Sequence, residues 1–234
     1  MFLVACGGSN GTTPSIDAPE GHVYNDAPPV VPQMIKIAGI ASENTQSGSN
    51  PLAGVMVGVY LRSAEGTALA TATSDASGAY SMMVQTSGSV VDGFLKASKS
   101  GYVDNYVYPA GPFQGDQLMA NANLISSSNY SFLSLIGGQT AGKGLAIVEI
   151  LDSNSAPVVG ATVSSSPASG TYKYSDSGGT PTSTTGTNTD GAAFMFNVPS
   201  GDIQVTATKS GMTFKTHPIV AHADQFTTTV VVQQ

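Results

Sequence analysis

The sequence predicts an all-β protein in which two tandem antiparallel β-sandwiches follow a disordered N-terminal tether. Short runs of alternating apolar and polar residues recur along the chain, and clusters of Gly, Pro, Asn, Asp and Ser separate them. A set of three short sequence blocks also occurs twice in the same order. Helical periodicity is nearly absent, apart from a candidate short turn at residues 132–136. These observations favour sandwiches over a parallel α/β sheet.

Strand alternation is clearest near the start of the first unit. Apolar side chains occupy every second position from Val55 to Leu61, which is the pattern of a half-buried strand. Lys36 lies between Ile35 and Ile37, so we expect its side chain to face solvent when the two isoleucines face the core. This parity argues against a covalent bond between Lys36 and the asparagines of the late strand, Asn121 and Asn123.

The internal repeat gives the strongest sign of domain organisation. Each copy contains a Pro-x-x-Gly block, an Asp-containing turn followed by an aromatic strand, and a Lys-Ser-Gly block. The matched blocks are residues 51–57 with 157–163, 74–80 with 189–194, and 95–102 with 205–212. The second copy has extra residues around 172–186. We therefore expect two units of similar fold, with an insertion in the second.

The three blocks together resemble the carboxypeptidase regulatory-like domain, a small transthyretin-like sandwich found in bacterial surface proteins. The resemblance covers most of residues 34–234 in two copies. It implies a transthyretin/Ig-like fold and a location outside the cytoplasm, and it carries over no catalytic residue.

Aspartates in the turns are predicted to have structural roles. Asp190-Gly191 is a two-residue signal for a type I′ hairpin, and Gly78 is expected in the left-handed conformation of a longer turn. Asp75, Asp152 and Asp176 also sit alone in turn-forming sequence, where Asp normally accepts hydrogen bonds from its own backbone. We expect this use rather than calcium binding.

The N-terminus resembles the lipid-attachment signal of bacterial lipoproteins. Leu3 and Ala5 precede Cys6, and a Gly/Ser-rich stretch follows it. Only five residues precede Cys6, fewer than a secretory signal needs, so we expect a truncated signal and a start that lies upstream. Lipidation of Cys6 would anchor the protein to a membrane. By resemblance to diderm lipoproteins, Gly7 at the next position favours the outer membrane, facing the periplasm or the exterior.

Four segments follow from these patterns. We predict a truncated signal and tether at 1–33, sandwiches at 34–126 and 145–234, and between them a linker at 127–144 with a candidate short helix. The Gly-rich string 137–144 is close to the sequence motif of a phosphate-binding loop. However, Gly144 replaces the required Ser/Thr, and a predicted strand follows instead of a helix. We therefore interpret that string as an interdomain hinge.

Composition excludes several classes of function. The net charge of −7, from 8 Lys+Arg against 15 Asp+Glu, is the wrong sign for a nucleic-acid-binding protein. A single Cys cannot form a disulfide framework or a cysteine-based zinc site. His217 and His222 have odd spacing on a predicted strand, which places them on opposite faces; we interpret them as solvated strand-end residues. No catalytic, metal or cofactor site is predicted.

Tyrosines are the candidate ligand contacts. Tyr106 and Tyr108 share one face of a strand, and Tyr172 and Tyr174 share a face in the insertion. Exposed aromatic rings grip sugars and protein partners, whereas rings that cover the edge of a core do not. Both alternatives stay open for these four residues.

These features predict a non-enzymatic lipoprotein of the bacterial cell envelope, acting as a structural or adhesive surface module. Its partners would be the membrane, through the lipid anchor, and a glycan or an envelope protein. The alternative is a carbohydrate-binding accessory protein. An enzyme is the least favoured class because no paired catalytic residues are recognised.

Overall fold

The structure is a computed structural model that describes residues 30–45, 48–182 and 185–234. The described part contains seventeen strands and one helix, which confirms the predicted all-β class. Cys6 and almost all of the predicted tether lie outside the described residues.

The first unit consists of nine strands among the described residues, followed by the helix. Their bounds are β1 (Met34–Thr45), β2 (Gly48–Pro51), β3 (Met56–Leu61), β4 (Ala64–Thr73), β5 (Ala79–Gln85), β6 (Gly93–Ser98), β7 (Tyr102–Val103), β8 (Asn105–Tyr108), β9 (Ala122–Ser126) and α1 (Ser127–Gly137). The second unit continues with β10 (Gly144–Leu151), β11 (Thr162–Ser166), β12 (Thr171–Ser175), β13 (Pro181–Thr182), β14 (Ala192–Val198), β15 (Gly201–Thr208), β16 (His217–Ala221) and β17 (Phe226–Val232).

Alternating burial shows which face of each strand contacts the core. In β5, Tyr80, Met82 and Val84 are buried, whereas the residues between them are exposed. Successive side chains of a strand point to opposite faces, so this pattern packs one face of β5 against the interior. β1 buries Ile35 and Ile37 and exposes Lys36, as the parity of the sequence predicted.

The two units share one plan of strand pairing, which explains the sequence repeat. β1 pairs antiparallel with β5 and parallel with β9, just as β10 pairs antiparallel with β14 and parallel with β17. In the opposing sheets, β6 lies between β3 and β8, just as β15 lies between β11 and β16. Each unit is therefore a sandwich of two sheets.

The insertion in the second unit changes which sheet the next strand joins. In the first unit β4 pairs with β3, whereas in the second unit β12 pairs with β14, on the other sheet. β12 then turns back to form the short hairpin with β13. The extra residues thus build a different edge rather than a simple longer loop.

The repeated lysine supports the Pro-x-x-Gly turn of its own unit. Lys99 Nζ donates to the carbonyl oxygen of Ala53 at 2.8 Å, and Lys209 Nζ donates to that of Val159 at 2.6 Å. The turn glycines, Gly54 and Gly160, have φ of 70° and 73°, a region that favours glycine. A cation at the end of one hairpin therefore satisfies a carbonyl of another in both copies.

The turn at Asp190 differs from the predicted type I′ hairpin. Gly191 has a φ of 65° and its N–H donates to Asn188, whereas Asp190 is not among the described residues with positive φ. In the first unit Gly78 has a φ of 78° and donates to Asp75. The structure therefore aligns Asn188 with Asp75, and the sequence match of Asp75 to Asp190 was wrong by two residues.

One nine-stranded sheet crosses the boundary between the units. β17 lies between β10 and β8 and pairs parallel with both, with Phe226 opposite Asn105 and Thr229 opposite Tyr108. Phe94, Tyr106 and Tyr108 of the first unit belong to the apolar cluster of the second. The sandwiches are therefore joined through backbone hydrogen bonds and a shared core.

The Gly-rich string 137–144 is not a hinge. Thr140 N–H donates to Asn197 Oδ1 at 2.6 Å, Asn197 N–H donates to Gln139 Oε1 at 2.8 Å, and Gly142 N–H donates to Asp224 Oδ1 at 2.8 Å. These bonds fasten the segment to the second sandwich. The prediction of a hinge is therefore wrong, because composition alone does not reveal the side chains that receive a loop's backbone groups.

Candidate functional site

The described residues enclose a cavity of about 670 Å³ where the two sandwiches and the helix meet. We call it the junction cavity. The first unit contributes the end of β1 and Ile125 of β9, α1 contributes Asn129, Phe132 and Leu133, and the second unit contributes Glu149 and three loops. This volume lies within the range of small-molecule pockets.

The floor of the junction cavity is apolar. Ile125 and Phe194 are 2% and 1% exposed and belong to a core cluster against which Leu133 packs. Phe132, at the cavity's side of α1, remains 43% exposed. The helix has no charged residue in its first or last turn, and it presents two apolar side chains and the amide of Asn129 to the cavity.

Two of the cavity loops are built by the same hydrogen bonds. Asp176 Oδ1 accepts from Gly178 and Thr180 N–H at 2.8 and 3.0 Å, and Asp152 Oδ1 accepts from Asn154 and Ala156 N–H at 2.8 and 2.9 Å. The predicted use of these aspartates to cap their own turns is confirmed. Such turns hold the loop backbone in a fixed shape around the cavity.

Asp75 forms the same turn in the first unit, away from the residues that line the cavity. Its Oδ1 accepts from Ser77 Oγ at 2.7 Å, from Ser77 N–H at 2.8 Å and from Ala79 N–H at 3.0 Å. The hydrogen bonds from Ser77 hold the pKa of Asp75 below its usual value, because they favour the charged form.

Three acidic residues are among those that line the junction cavity. Glu149, Asp176 and Asp190 line it, and Glu149 is only 7% exposed. Asp190 Oδ1 accepts from Ser175 Oγ at 2.5 Å and from Ala192 N–H at 3.1 Å. No Lys, Arg or His occurs among the described lining residues. The cavity is therefore acidic above an apolar floor.

Asn44 adds an unsatisfied polar group at the same place. Its side chain is 7% exposed, and its Nδ2 has no hydrogen-bond partner in the described structure. A buried donor without an acceptor costs free energy, so Asn44 is a locally destabilising residue beside the cavity.

Tyr106 and Tyr108 lie in the core rather than on a binding surface. They are 9% and 2% exposed, and the ring of Phe94 lies 5.1 Å from that of Tyr108. The alternative of ligand contact is wrong for these two residues, because apolar side chains of the second unit pack over their face of the sheet and His222 stacks on Tyr106. Burial also raises the pKa of Tyr108 well above its usual value.

Tyr172 and Tyr174 point together, as predicted, but toward the opposing sheet. Tyr174 is 6% exposed and its hydroxyl accepts from Val163 N–H at 3.1 Å. The hydroxyl of half-buried Tyr172 accepts from Ser165 N–H at 3.1 Å. The two rings therefore span the sandwich, and an exposed pair is not formed. Of the predicted recognition segment, the turn from Asp176 to Pro181 lines the junction cavity instead.

The histidines are less solvated than the sequence predicted. His217 is 9% exposed, and burial lowers its pKa to about 4. The ring of His222 stacks on that of Tyr106 with centroids 3.7 Å apart, and its Nε2 lies 3.5 Å from Glu65 Oε2. Burial, with Lys96 nearby, lowers the pKa of His222, so this contact is not an ion pair at neutral pH.

Lys36 faces solvent, whereas Asn121 and Asn123 form hydrogen bonds with β1. Lys36 is exposed, whereas Asn123 is buried and its Oδ1 accepts from Ser42 Oγ at 2.6 Å. Asn121 Oδ1 accepts from Ile40 N–H at 3.0 Å. Both asparagines thus hold β1 in place, as local hydrogen-bonding residues of the sheet.

Within the described residues, no group of three or more His, Cys, Asp or Glu side chains is placed to hold a metal ion. The one described helix also lacks the length and apolar character needed to cross a membrane. Cys6, the predicted lipidation site, lies outside this part of the chain.

The chain matches no family model and no curated protein. Solved structures similar to it include the TIE protein of Bacillus anthracis (12% identity, TM-score 0.27), shaft pilin SpaA of Lactobacillus rhamnosus GG (11%, 0.28) and the minor pilin GBS52 of Streptococcus agalactiae (11%, 0.29). These matches cover 86%, 86% and 85% of this chain and 34%, 97% and 95% of the other chains. The chain thus spans about a third of the TIE protein. Similarity at these TM-scores is too low to assign a ligand or a function.

Proposed function

We propose that this protein is a non-enzymatic structural or adhesive module of the bacterial cell envelope, held at the membrane through a lipid on Cys6. The observation that carries the proposal is the nine-stranded sheet shared by both sandwiches. Two sandwiches that share a sheet and an apolar cluster form one stiff body, which suits a protein that bears load or presents a surface at a distance from its anchor.

Strand arrangement supports this role. β17 forms seven residue pairs with β10 and four with β8, all of them parallel. Pulling the C-terminal strand along its axis would shear both sets of backbone hydrogen bonds together. The carboxylates of Asp75, Asp152 and Asp176 are also committed to their own turns, as expected of residues that maintain a scaffold.

The anchor at Cys6 is the part of the proposal that the sequence supports. The chain with its upstream signal should be produced in a diderm host and fractionated with detergent. We expect membrane-bound protein carrying diacylglycerol on Cys6, and release of Cys6→Ser into the soluble fraction. An unmodified Cys6 in membrane-derived protein would overturn the anchor.

The structural role has a separate test. Cells that lack the gene should show altered attachment to surfaces or increased sensitivity to detergent, and the wild-type gene should restore the original behaviour. Cys6→Ser, which keeps both sandwiches, should fail to restore it. If a soluble Cys6→Ser protein restores it fully, an anchored structural role is excluded.

A further inference from the structure

We propose that the open edge of β5 binds the same strand of a second copy of this chain, so that two molecules pair antiparallel through β5. Such pairing goes beyond a structural role at the envelope and needs no lipid anchor, so either can fail alone. Three features carry it: the unprotected edge of β5, the direction of its backbone groups and the side chains beside them.

β5 is an unprotected end of a sheet. It has seven residues, none of them charged and none of them proline. Among the described residues its one strand partner is β1, and the register between the two strands is regular from Met34 opposite Gln85 to Ile40 opposite Ala79. A strand edge of this kind is a template for pairing with another strand.

The other sheet ends in the described part of the chain are short or blocked. β2, β7 and β13 have four, two and two residues, β16 contains Pro218, and two register shifts interrupt β4. Two N–H groups of β11 donate to the hydroxyls of Tyr172 and Tyr174. Features of these kinds prevent association between edges. Because β5 has none of them, we infer that its edge is kept for a partner.

The outward backbone groups of β5 follow from its ladder with β1. Ala41 N–H donates to the carbonyl oxygen of Gly78, the residue before β5, at 2.7 Å. In an antiparallel ladder, alternate residues direct their backbone groups to opposite sides of the strand. The even-numbered residues of β5 therefore bond to β1, and Ser81, Met83 and Gln85 direct their N–H and carbonyl groups away from it. No described backbone group pairs with these three residues on that side.

One register satisfies all three outward residues. A two-fold axis at Met83 places Met83 opposite itself and Ser81 opposite Gln85 of the second copy. Each such pair exchanges two backbone hydrogen bonds, which gives about six in total. Shifting the axis to the preceding residue would place Gln85 opposite Ala79, whose N–H and carbonyl oxygen already bond to Asp75.

The side chains at this edge suit the same register. Met83 is 51% exposed, and in the pair each Met83 side chain would lie against its symmetry mate. The flexible thioether of methionine packs well in irregular apolar contacts. Ser81 and Gln85, which are also exposed, would lie opposite each other and can form a hydrogen bond between hydroxyl and amide.

Charge permits a second copy at this edge. The chain has a net charge of −7, but residues 76–91 contain no charged side chain. On the same face of the sheet, Lys36 lies opposite Met83 in β1. The two copies of Lys36 would be three strand spacings apart, about 14 Å, which exceeds the Debye length of about 8 Å at physiological ionic strength. Two copies can therefore meet here without repulsion.

The first test measures association of the full chain by analytical ultracentrifugation. All proteins carry Cys6→Ser, so that no disulfide forms through Cys6. We expect a reversible dimer that dissociates on dilution, because an interface smaller than about 1,200 Å² is weak. Met83→Lys places two cations opposite each other and should weaken the dimer at least about tenfold. Met56→Lys is the matched control, since Met56 is 53% exposed but lies on β3, and it should leave the dimer unchanged.

The second test reads the register by cross-linking. In the proposed pair the Cα atoms of the two Met83 residues lie about 5.5 Å apart, within the range of a disulfide. Met83→Cys, in the Cys6→Ser chain, should therefore form a disulfide-linked dimer on mild oxidation. Ser81→Cys, on the same face of the same strand, should not, because its two copies would lie about 13 Å apart along the strands.

Three results would overturn the proposal. They are a chain that stays monomeric up to millimolar concentration, equal effects of the two lysine variants on the dimer, and equal cross-linking of Met83→Cys and Ser81→Cys. Circular dichroism of each variant shows whether it is folded. If Met83→Lys does not fold, the comparison of the two cysteine variants still decides the proposal.

Discussion

Asn105 and Thr228 hydrogen-bond to each other across the boundary between the two sandwiches. Asn105 Nδ2 donates to Thr228 Oγ1 at 3.2 Å, and Thr228 Oγ1 donates to Asn105 Oδ1 at 3.3 Å. Asn105 Nδ2 also donates to the carbonyl oxygen of Asn123 at 2.7 Å, and Asn105 is completely buried. One side chain therefore connects three strands, β8, β9 and β17, belonging to both units.

Thr228→Val tests this connection. The substitution keeps the shape of the side chain but removes the hydroxyl, which leaves Asn105 with an unsatisfied polar atom in the interior. We expect the free energy of unfolding to fall by about 1–2 kcal/mol, measured by urea denaturation. Thr206→Val, where the hydroxyl contact with Thr216 is exposed, should change stability by less than about 0.5 kcal/mol. Equal losses in the free energy of unfolding for the two variants would show that the buried hydrogen bond stabilises the protein no more than the exposed one.

The two sandwiches should unfold together. β8 pairs with β17, and Phe94, Tyr106 and Tyr108 pack into the core of the second unit, so separation would expose both apolar area and a strand edge. We expect one calorimetric transition for the full chain, and a clearly lower melting temperature for residues 145–234 alone. Two well-separated transitions, or equal stability of the isolated fragment, would support independent domains.

Stability should decrease in acid because of His217. Burial lowers its pKa from 6.5 to about 4, so below pH 6.5 the unfolded state binds the proton more readily than the folded state. The free energy of unfolding is therefore unaffected above pH 7 and falls as the pH drops from 6.5 toward 4, by about 3 kcal/mol in total. His217→Gln, measured by urea denaturation at pH 7 and 4.5, should lose about 2 kcal/mol less over this interval. Equal losses would assign the acid sensitivity to other groups.

Ser155→Gly should stabilise the protein. Ser155 has a φ of 64° and occupies the turn position at which Gly78 and Gly179 stand in the equivalent turns, with φ of 78° and 81°. A side chain costs about 1–2 kcal/mol in this region, and glycine gives back about 0.5–1 kcal/mol of that through its larger loss of backbone entropy. We therefore expect a net gain of about 0.5–1 kcal/mol in thermal or urea unfolding. Gly78→Ala is the opposite test, because its Cβ would lie 2.4 Å from the carbonyl oxygen of Ala41. A stabilising Gly78→Ala would contradict this account of the turns.

Tyr174→Ala should destabilise the second sandwich. The ring is 6% exposed and its hydroxyl accepts from Val163 N–H, so truncation leaves a cavity and an unpaired amide. We expect a loss of about 3–5 kcal/mol for Tyr174→Ala and about 1 kcal/mol for Tyr174→Phe, measured by urea denaturation. Ser177→Ala, at an exposed residue of the next turn, is the control. Unchanged stability of Tyr174→Ala would restore the alternative of an exposed tyrosine.

The sequence alone determined the features that depend on neighbouring residues. Alternation at Ile35, Lys36 and Ile37 predicted the buried face of β1, and turn composition predicted the backbone-capping roles of Asp152 and Asp176. The repeat predicted two units, which share one pairing plan. Such features are readable because strand parity and turn chemistry act over a few residues.

Tertiary structure decided which of these surfaces remain exposed. Strand parity placed Tyr106 and Tyr108 on one face, but only packing of second-unit residues about 100 residues away in the chain, such as Ile203 and Ile219, buried that face. The hydrogen bond from Thr140 to Asn197 likewise fixed a segment whose glycines predicted a hinge. The junction cavity also needs Asn44, Phe132 and Asp176 to meet from separate parts of the chain. Contacts between distant segments depend on how whole sheets pack, and no local pattern of residues encodes that geometry.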